Sequence, residues 1–216
     1  VGCAGSQEVR PDIIATNAEK SAMATEKRKA QAEEAVEVWE ELVEDLGSND
    51  GLVELPELKQ SLNSVLQKDP THLQARYNRG RLAKQQGDGF AWQQDFKLLA
   101  QHHPDFYPGV VGAVEAFVIE KKPFEAIALL QQFVEAHPIH LQAHLQLGRL
   151  HWEQKDTEAA FEQVQKILKN SPADAREDIQ FDAHVLAVRC LLKVGRLAPA
   201  RLILERLAEL WPKQPS

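Results

Sequence analysis

The stretch LQAHLQLGRLHWEQKD, residues 141–156, decides the fold because LQARYNRGRLAKQQGD, residues 73–88, nearly repeats it. The two stretches begin at Leu73 and Leu141 and share Leu, Gln, Ala, Gly, Arg, Leu, Gln and Asp in register. Apolar residues at spacings of three and four predict an amphipathic helix in each stretch. A helix that recurs in this way indicates a repeated structural unit.

Four prolines give the length of that unit. Pro70, Pro104, Pro138 and Pro172 are evenly spaced (104 − 70 = 138 − 104 = 172 − 138 = 34), and each closes a helical pattern. Proline ends a helix because it has no N–H and its ring clashes with the preceding turn. A helix–turn–helix repeat has a length of about 34 residues. In residues 141–172 the two helices read LQAHLQLGRLHWEQ and AAFEQVQKILKN, with the turn KDTE between them.

Small residues predict where the two helices of a unit approach each other. Gly80 and Gly148 stand in the middle of first helices, where glycine costs about 1 kcal/mol relative to alanine. Close packing against the second helix, which carries Ala160 in the later unit, compensates for that cost. In the unit between them Val114 replaces the glycine, which predicts a wider helix pair or a shift of the close contact to Gly112.

The chain resembles tetratricopeptide-repeat proteins from Trp39 to Pro212. The resemblance rests on the 34-residue period, the turns QGD and KDTE, and the small residues Gly80, Ala126, Gly148 and Ala160. It implies an all-α fold, a right-handed α-solenoid of helix–turn–helix repeats with a long N-terminal helix before them. The last unit ends at Pro212 rather than at position 206, where the period would end it, which predicts a first helix lengthened through AREDIQ.

The domain organisation follows from these boundaries. Residues 1–17 are predicted to be a flexible tether, and residues 18–70 a long helix plus a degenerate first repeat. Residues 71–212 form four repeats, and residues 213–216 form a tail.

Composition excludes several classes of function. The net charge of −7 argues against nucleic acid as a partner, because a phosphate-binding face usually makes a domain basic. No apolar run approaches the ~18 residues that a membrane-spanning helix needs. Of the two cysteines, Cys190 lies in AHVLAVRCLL, which is typical of a small buried apolar residue, so a disulfide framework is not expected.

The other cysteine suggests a membrane anchor. Val1, Gly2 and Cys3 resemble the last positions of a bacterial lipoprotein signal peptide, whose cysteine is lipidated. The polar segment that follows is suited to a tether, and Ala4 favours the outer membrane under the enterobacterial rule. This interpretation predicts a periplasmic lipoprotein attached through Cys3. The alternative is a disordered terminus with an incidental cysteine, in a cytoplasmic protein.

The joint LGSNDGLVELPEL has some features of a calcium loop. Ser48, Asp50, Gly51 and Glu57 fall where an EF-hand places ligands, its glycine and its terminal glutamate. The first ligand position, however, is Leu46, which has no carboxylate. A glycine-rich turn between helices is therefore the preferred interpretation.

Three histidines share one helix side. His140, His144 and His151 are separated by steps of four and seven, a spacing that can present imidazoles to a metal. The resemblance instead places His144 and His184 in a slot that commonly holds a large aromatic residue. No second helix offers an evident converging ligand, so packing roles are preferred and no metal is expected.

Catalytic signatures are absent from the sequence. It has no glycine-rich phosphate loop, no nucleophile elbow and no His-Glu-x-x-His pair. We therefore expect a protein that is not an enzyme, without a cofactor or a small-molecule substrate.

The resemblance implies that the first helices line a concave groove that binds a peptide or a helix of a protein partner. Helical spacing predicts that this groove contains apolar, aromatic and charged residues, some of which pack on the neighbouring repeat instead: Tyr77, Asn78, Arg81, Lys84, Val111, Glu115, Val118, Leu145, Gln146, Arg149, Trp152, Val185, Arg189 and Leu192. The carboxylate clamp of chaperone-binding repeats is broken, because Gly112 and Gln146 occupy the places one and two units after Asn78.

Two functional hypotheses remain. In the first, a lipid-anchored scaffold of the cell envelope assists assembly of a secretion, pilus or outer-membrane complex. In the alternative, the same groove belongs to a soluble cytoplasmic adaptor or co-chaperone without an anchor.

Overall fold

The computed structural model describes residues 23, 26, 27, 30, 55–170 and 177–210. Their regular structure is helical, which confirms the predicted all-α repeat fold, and residues 23, 26, 27 and 30 are themselves helical. From residue 55 onward the described part contains nine helices: α1 Leu55–Lys68, α2 Leu73–Gln85, α3 Gly89–His102, α4 Tyr107–Ile119, α5 Pro123–Ala136, α6 Leu141–Glu153, α7 Thr157–Asn170, α8 Glu177–Lys193 and α9 Leu197–Leu210.

Several predicted features lie outside the described residues. They are Cys3 and the tether at 1–17, Trp39 and most of the long helix, the joint from Leu46 to Glu54, and Pro172 and Pro212. None of the helices in the described segments is both long enough and apolar enough to cross a bilayer.

The chain divides into two compact units, Val1–Leu82 and Ala83–Ser216. In the first unit, α1 packs against the part of α2 that ends at Leu82. The core of this unit consists of apolar residues from both helices: Leu58, Leu62, Val65, Leu66, Ala75 and Leu82.

The second unit is a series of helices in which each packs on the next, from α3 to α9. The first helix α6 also contacts the following first helix, α8. Its apolar core falls into two clusters, one around α4 and α5 and one around α7 and α8. Helix α6 joins them, because Leu147 belongs to the first cluster and Leu145 to the second. The core is therefore continuous along the repeats, as expected when each repeat buries its apolar face on its neighbours.

The turns inside the repeats show the period most directly. Positive φ angles occur at Gly87 (74°), Lys121 (59°), Lys155 (65°) and Gly195 (75°). The first three are evenly spaced (121 − 87 = 155 − 121 = 34), and Gly195 stands six positions beyond 189, where the period would place it. After each of these residues the next N–H donates to the carbonyl five positions earlier, as when Asp156 donates to His151 at 2.9 Å. This is the helix-ending arrangement that a left-handed residue allows, and it confirms both the period and the insertion.

The insertion lengthens the last first helix, as the sequence predicts. Helix α8 has 17 residues, whereas α4 and α6 have 13 each.

Glycine packing confirms one prediction and corrects another. A Cβ added to Gly148 would lie 3.4 Å from the carbonyl oxygen of Ala160, so α6 approaches α7 closely, as expected. A Cβ at Gly112 would instead collide with the ring of Phe96 in α3. The close contact of Gly112 is therefore with the preceding repeat, and the predicted shift of the contact within its own helix pair is wrong. Two helices can only approach this closely where one has no side chain.

Candidate protein-binding surface

The first helices of the second unit present two parallel rows of side chains on one face. Val118, Trp152 and Leu192 occupy equivalent positions of α4, α6 and α8 and form an apolar row. Three positions earlier on each helix, one turn away, lie Glu115, Arg149 and Arg189, which form a charged row. We refer to these six residues together as the first-helix face.

The apolar row is accessible in part. Val118 is 42% exposed and Leu192 is 48% exposed. Single exposed apolar residues are common, but exposed apolar residues that recur at the equivalent position of successive repeats are a feature of interaction sites. Trp152 is half-buried because its ring packs against the second core cluster. An indole fixed in this way is a good binding anchor, since ordering it costs little further side-chain entropy.

The charged row takes part in ion pairs that link successive first helices. Nζ of Lys84 lies 2.5 Å from Oε2 of Glu115, and Nη2 of Arg149 donates to Oδ2 of Asp182 at 2.7 Å. All four side chains keep between 42% and 49% of their surface exposed. At that exposure each pair contributes at most about 1 kcal/mol to stability, so a partner can rearrange them at little cost.

Leu145 does not line this surface, which corrects the prediction. It is 1% exposed and packs in the second core cluster with Ile179, Ala183 and Leu186. Ile179 lies at the start of the longer helix α8, so the inserted residues supply part of the cover that buries Leu145.

The other predicted residues differ in accessibility. Val111, Gln146 and Val185 are half-buried, and the buried Oε1 of Gln146 has no hydrogen-bond partner within the described segments. Lys84 and Arg189 are exposed.

Tyr77, Asn78 and Arg81 belong to the first compact unit. Tyr77 and Asn78 are half-buried and Arg81 is exposed. The guanidinium of Arg81 lies over the ring of Tyr77, 5.6 Å from its centroid.

The histidines of α6 have packing and capping roles. His144 is buried, with Nε2 3.0 Å from the carbonyl oxygen of Pro138 and Nδ1 2.8 Å from Oε1 of Gln163. It thus ties the start of α6 to the preceding loop and to α7. His151 is also buried, and its Nδ1 lies 3.5 Å from Oδ2 of Asp156. Among the residues that the structure describes, no group of three or more His, Cys, Asp and Glu side chains could hold a metal ion.

His140 caps the start of α6, because its Nδ1 accepts the N–H of Ala143 at 3.2 Å. Its ring centroid lies 4.2 Å from that of Tyr107. Burial lowers the pKa of His140, and burial raises the pKa of the Tyr107 hydroxyl. Both groups are therefore neutral near pH 7. A neutral His140 ring can accept the N–H of Ala143 while it packs on the ring of Tyr107.

The sequence analysis missed a second concave feature, a groove between the second helices α3 and α5. The available signal was a pair of small residues, Ala100 and Ala113. One repeat later the equivalent positions hold the larger Val134 and Leu147.

Comparison with known proteins agrees with this fold. Residues 122–175 match the family model described as Tetratricopeptide repeat. The repeat type predicted from the sequence is thereby confirmed for this part of the chain. The chain is also 25% identical over 147 residues to Protein O-mannosyl-transferase Tmtc3 of Drosophila melanogaster. The match covers 64% of this chain but only 16% of that relative's length, so it concerns a small part of the larger protein.

Solved structures share the architecture. MamA, residues 41 to the end, from Desulfovibrio magneticus RS-1 superimposes with a TM-score of 0.62 at 15% identity, covering 84% of this chain and 98% of that one. YrrB, described as a TPR protein with an unusual peptide-binding site, gives a TM-score of 0.58 at 17% identity, covering 74% of this chain and 81% of that one. At these identities the likeness shows the fold alone.

Proposed function

We propose that this chain is a non-enzymatic scaffold that binds a segment of a partner protein on its first-helix face. The observation that carries the proposal is the row of partly exposed Val118, Trp152 and Leu192 beside the charged row of Glu115, Arg149 and Arg189. Aromatic and arginine side chains are enriched at protein interfaces, and an apolar strip with a charged border is the usual anatomy of such a site.

The spacing of the rows defines the partner segment. Packed helices lie about 8–10 Å apart, and the first helices α6 and α8 contact each other, so anchors of an extended segment on Trp152 and Leu192 would be about three residues apart. A helical segment lying across the same face would need about six or seven residues between anchors. Acidic residues beside the anchors would pair with Arg189 and compete with Asp182 for Arg149. YrrB, a TPR protein with a peptide-binding site, supports peptide binding as a use of this fold.

The cellular setting that we propose is the cell envelope, with the scaffold tethered by a lipid on Cys3. The support is the match of Val1, Gly2 and Cys3 to the end of a lipoprotein signal, followed by a polar segment. A scaffold held there would assist assembly of a secretion, pilus or outer-membrane complex. Metabolic labelling with a radioactive fatty acid in cells making the natural precursor tests this step. Label that persists after Cys3→Ser would contradict it, and a protein found only in the soluble fraction would favour the cytoplasmic adaptor.

Site-specific photo-crosslinking tests the binding proposal. The chain would carry p-benzoylphenylalanine at Val118 on the first-helix face or, as a control, at Leu202, which is 68% exposed on α9. We expect one discrete set of crosslinked proteins from Val118 and its loss when Arg149→Glu and Trp152→Ala are added. Identical products from both positions, or products insensitive to the double substitution, would contradict the proposal.

A further inference from the structure

The second helices enclose a groove of about 680 Å³ that is separate from the first-helix face. Helices α3 and α5 form its walls and α4 forms its floor. It is lined by polar residues at the rim and apolar residues below: Gln94, Lys97, Leu98, Ala100, Gln101, Pro104, Asp105, Ala113, Phe117, Leu129, Gln132, Phe133 and Ala136. We call it the second-helix groove.

Two small residues, one on the α3 wall and one on the α4 floor, explain why the groove exists at this place in the array. Ala100 and Ala113 are buried, and they occupy positions where the next repeat carries Val134 and Leu147. Protein interiors are close-packed, so replacing larger residues by alanine at two adjoining positions leaves room above them. The two alanines therefore account for the opening between α3 and α5.

The charged side chains around the groove have contact partners within the chain. Nζ of Lys97 contacts the carboxylate of Glu120, and Nζ of Lys122 lies 2.9 Å from the same carboxylate. The hydrogen bonds from both lysines lower the pKa of Glu120. At the other end, Nε2 of His137 lies 3.0 Å from Oδ1 of Asp105. Lys97 is thus already paired and offers an occupant no unpaired positive charge, so the groove favours an uncharged occupant.

The rim distinguishes between the conformations that an occupant can have. Gln94, Gln101 and Gln132 are exposed on the two walls, above the half-buried side chains of Leu98 and Leu129. Each carboxamide can donate and accept hydrogen bonds. A bound helix satisfies its own backbone groups and gains nothing from such a rim, whereas an extended chain presents free N–H and C=O groups to it.

From these features we propose that the second-helix groove binds an uncharged, extended peptide segment with apolar side chains at alternate positions. Alternate side chains of an extended chain point the same way, so two of them reach the floor while the backbone bonds to the glutamines. Helix α3 rises about 10 Å from Gln94 to Gln101, which is the span of about three extended residues. The segment is therefore short, and the site is independent of the first-helix face.

A synthetic peptide tests the proposal directly. The probe is acetyl-Ser-Leu-Ser-Leu-Ser-amide, and the matched control is acetyl-Leu-Leu-Ser-Ser-Ser-amide, which has the same composition without alternation. Titration of the ¹⁵N-labelled full chain, followed by NMR, should give saturable shifts confined to residues 94–136 with the probe. We expect binding of the control to be at least about ten-fold weaker, because it loses one floor contact of leucine size. No saturable shift in residues 94–136, or equal binding of the two peptides, would overturn the proposal.

Two variants separate the groove from a general apolar attraction. Ala113→Leu places in the floor the residue found one repeat later and should abolish binding, with circular dichroism used to check that the chain folds. The exposed pair Gln101→Leu and Gln132→Leu adds apolar surface but removes the hydrogen bonds, and should weaken binding about ten-fold. If Ala113→Leu does not fold, the variant with both glutamine substitutions tests the proposal.

Two further outcomes would also overturn the proposal. One is equal or tighter binding by the glutamine pair, which would mean that apolar contact alone holds the peptide. The other is loss of binding in Trp152→Ala, which would assign the probe to the first-helix face. A normal affinity in Trp152→Ala supports the separate site.

Discussion

Two adjacent repeats of the second unit reach the same architecture by different local contacts. In the 107–136 repeat, first helix α4 places Gly109 and Gly112 against the side chains of Leu99 and Phe96 in the preceding helix. In the 141–170 repeat, first helix α6 places Gly148 against its own partner helix, at Ala160. Helices thus approach each other closely within one repeat in one case and between successive repeats in the other. A repeat can use a small residue at either one.

The helix starts differ in the same way. In the 107–136 repeat no side chain caps α4 or α5, and proline lies in the first turn of each. In the 141–170 repeat His140 caps α6 and Asp156 caps α7, through the N–H groups of Ala143 and Ala159. Proline restricts φ before folding, whereas a cap satisfies an N–H after folding, and both stabilise the start of a helix. The comparison teaches that the period is fixed while the contacts that maintain it vary.

The largest expected effect on stability concerns the contacts of Gly112 and Gly148. Gly112→Ala should destabilise the chain by about 2–3 kcal/mol, because its Cβ would overlap the ring of Phe96. Gly148→Ala should stay within about 1 kcal/mol of the parent, because its nearest neighbour is the flexible Leu186 side chain at 3.2 Å and alanine favours the helix. Urea denaturation measures both, and a larger loss for Gly148→Ala would reverse our assignment of the interfaces.

The next effect concerns a polar link that the 141–170 repeat has and that the apolar Val110 cannot make at the equivalent position of the 107–136 repeat. His144→Phe keeps the ring shape but leaves the carbonyl of Pro138 and the side chain of Gln163 without this partner. We expect a loss of about 2 kcal/mol in the free energy of unfolding. The matched control is Val110→Ile at the equivalent position of α4, where no hydrogen bond is at stake and the loss should be smaller. Equal losses would mean that the link is unimportant.

Removal of a cap should give a moderate effect. Asp156→Ala loses the acceptor for the N–H of Ala159 and should cost about 1 kcal/mol. Lys122→Ala at the equivalent position removes no cap and should cost less, since its salt bridge is exposed. Thermal unfolding of the two variants side by side checks the difference, and a greater loss for Lys122→Ala contradicts it.

The smallest expected effect is the contribution of His140 to the pH dependence of stability. Burial lowers the pKa of His140 in the folded state, with smaller contributions from the nearby His137 and His144, and Tyr107 covers the ring. The folded state therefore binds this proton less readily than the unfolded state. The contribution is present above the ordinary histidine pKa and is lost as pH falls below it. The free energy of unfolding, measured at pH 8 and at pH 5, should fall less in His140→Asn than in the parent chain, because asparagine can cap the helix but does not titrate. An equal fall in both chains would show that His140 does not contribute.

The sequence predicted most of the fold because turns and helix stops are local features. The turns QGD and KDTE and the prolines at 70, 104 and 138 correspond to observed helix ends, and the long last unit corresponds to the longer helix α8. The burial of Leu145 could not be predicted from the sequence, because it depends on Ile179 in the next repeat. The ion pair of Arg149 with Asp182 depends in the same way on how two helices are aligned. The second-helix groove is a void, and sequence periodicity does not report voids.

The central functional claim is that a partner protein binds the first-helix face. Isothermal titration would measure the affinity of a partner segment that the crosslinking experiment has identified. Two double variants would be compared: Arg149→Glu with Trp152→Ala on that face, and Arg201→Glu with Leu202→Ala on α9. We expect the first to weaken binding at least about ten-fold, through loss of an aromatic anchor and reversal of a charge, and the second to bind like the parent. Binding that survives the first pair, or is lost only with the second, would contradict the account.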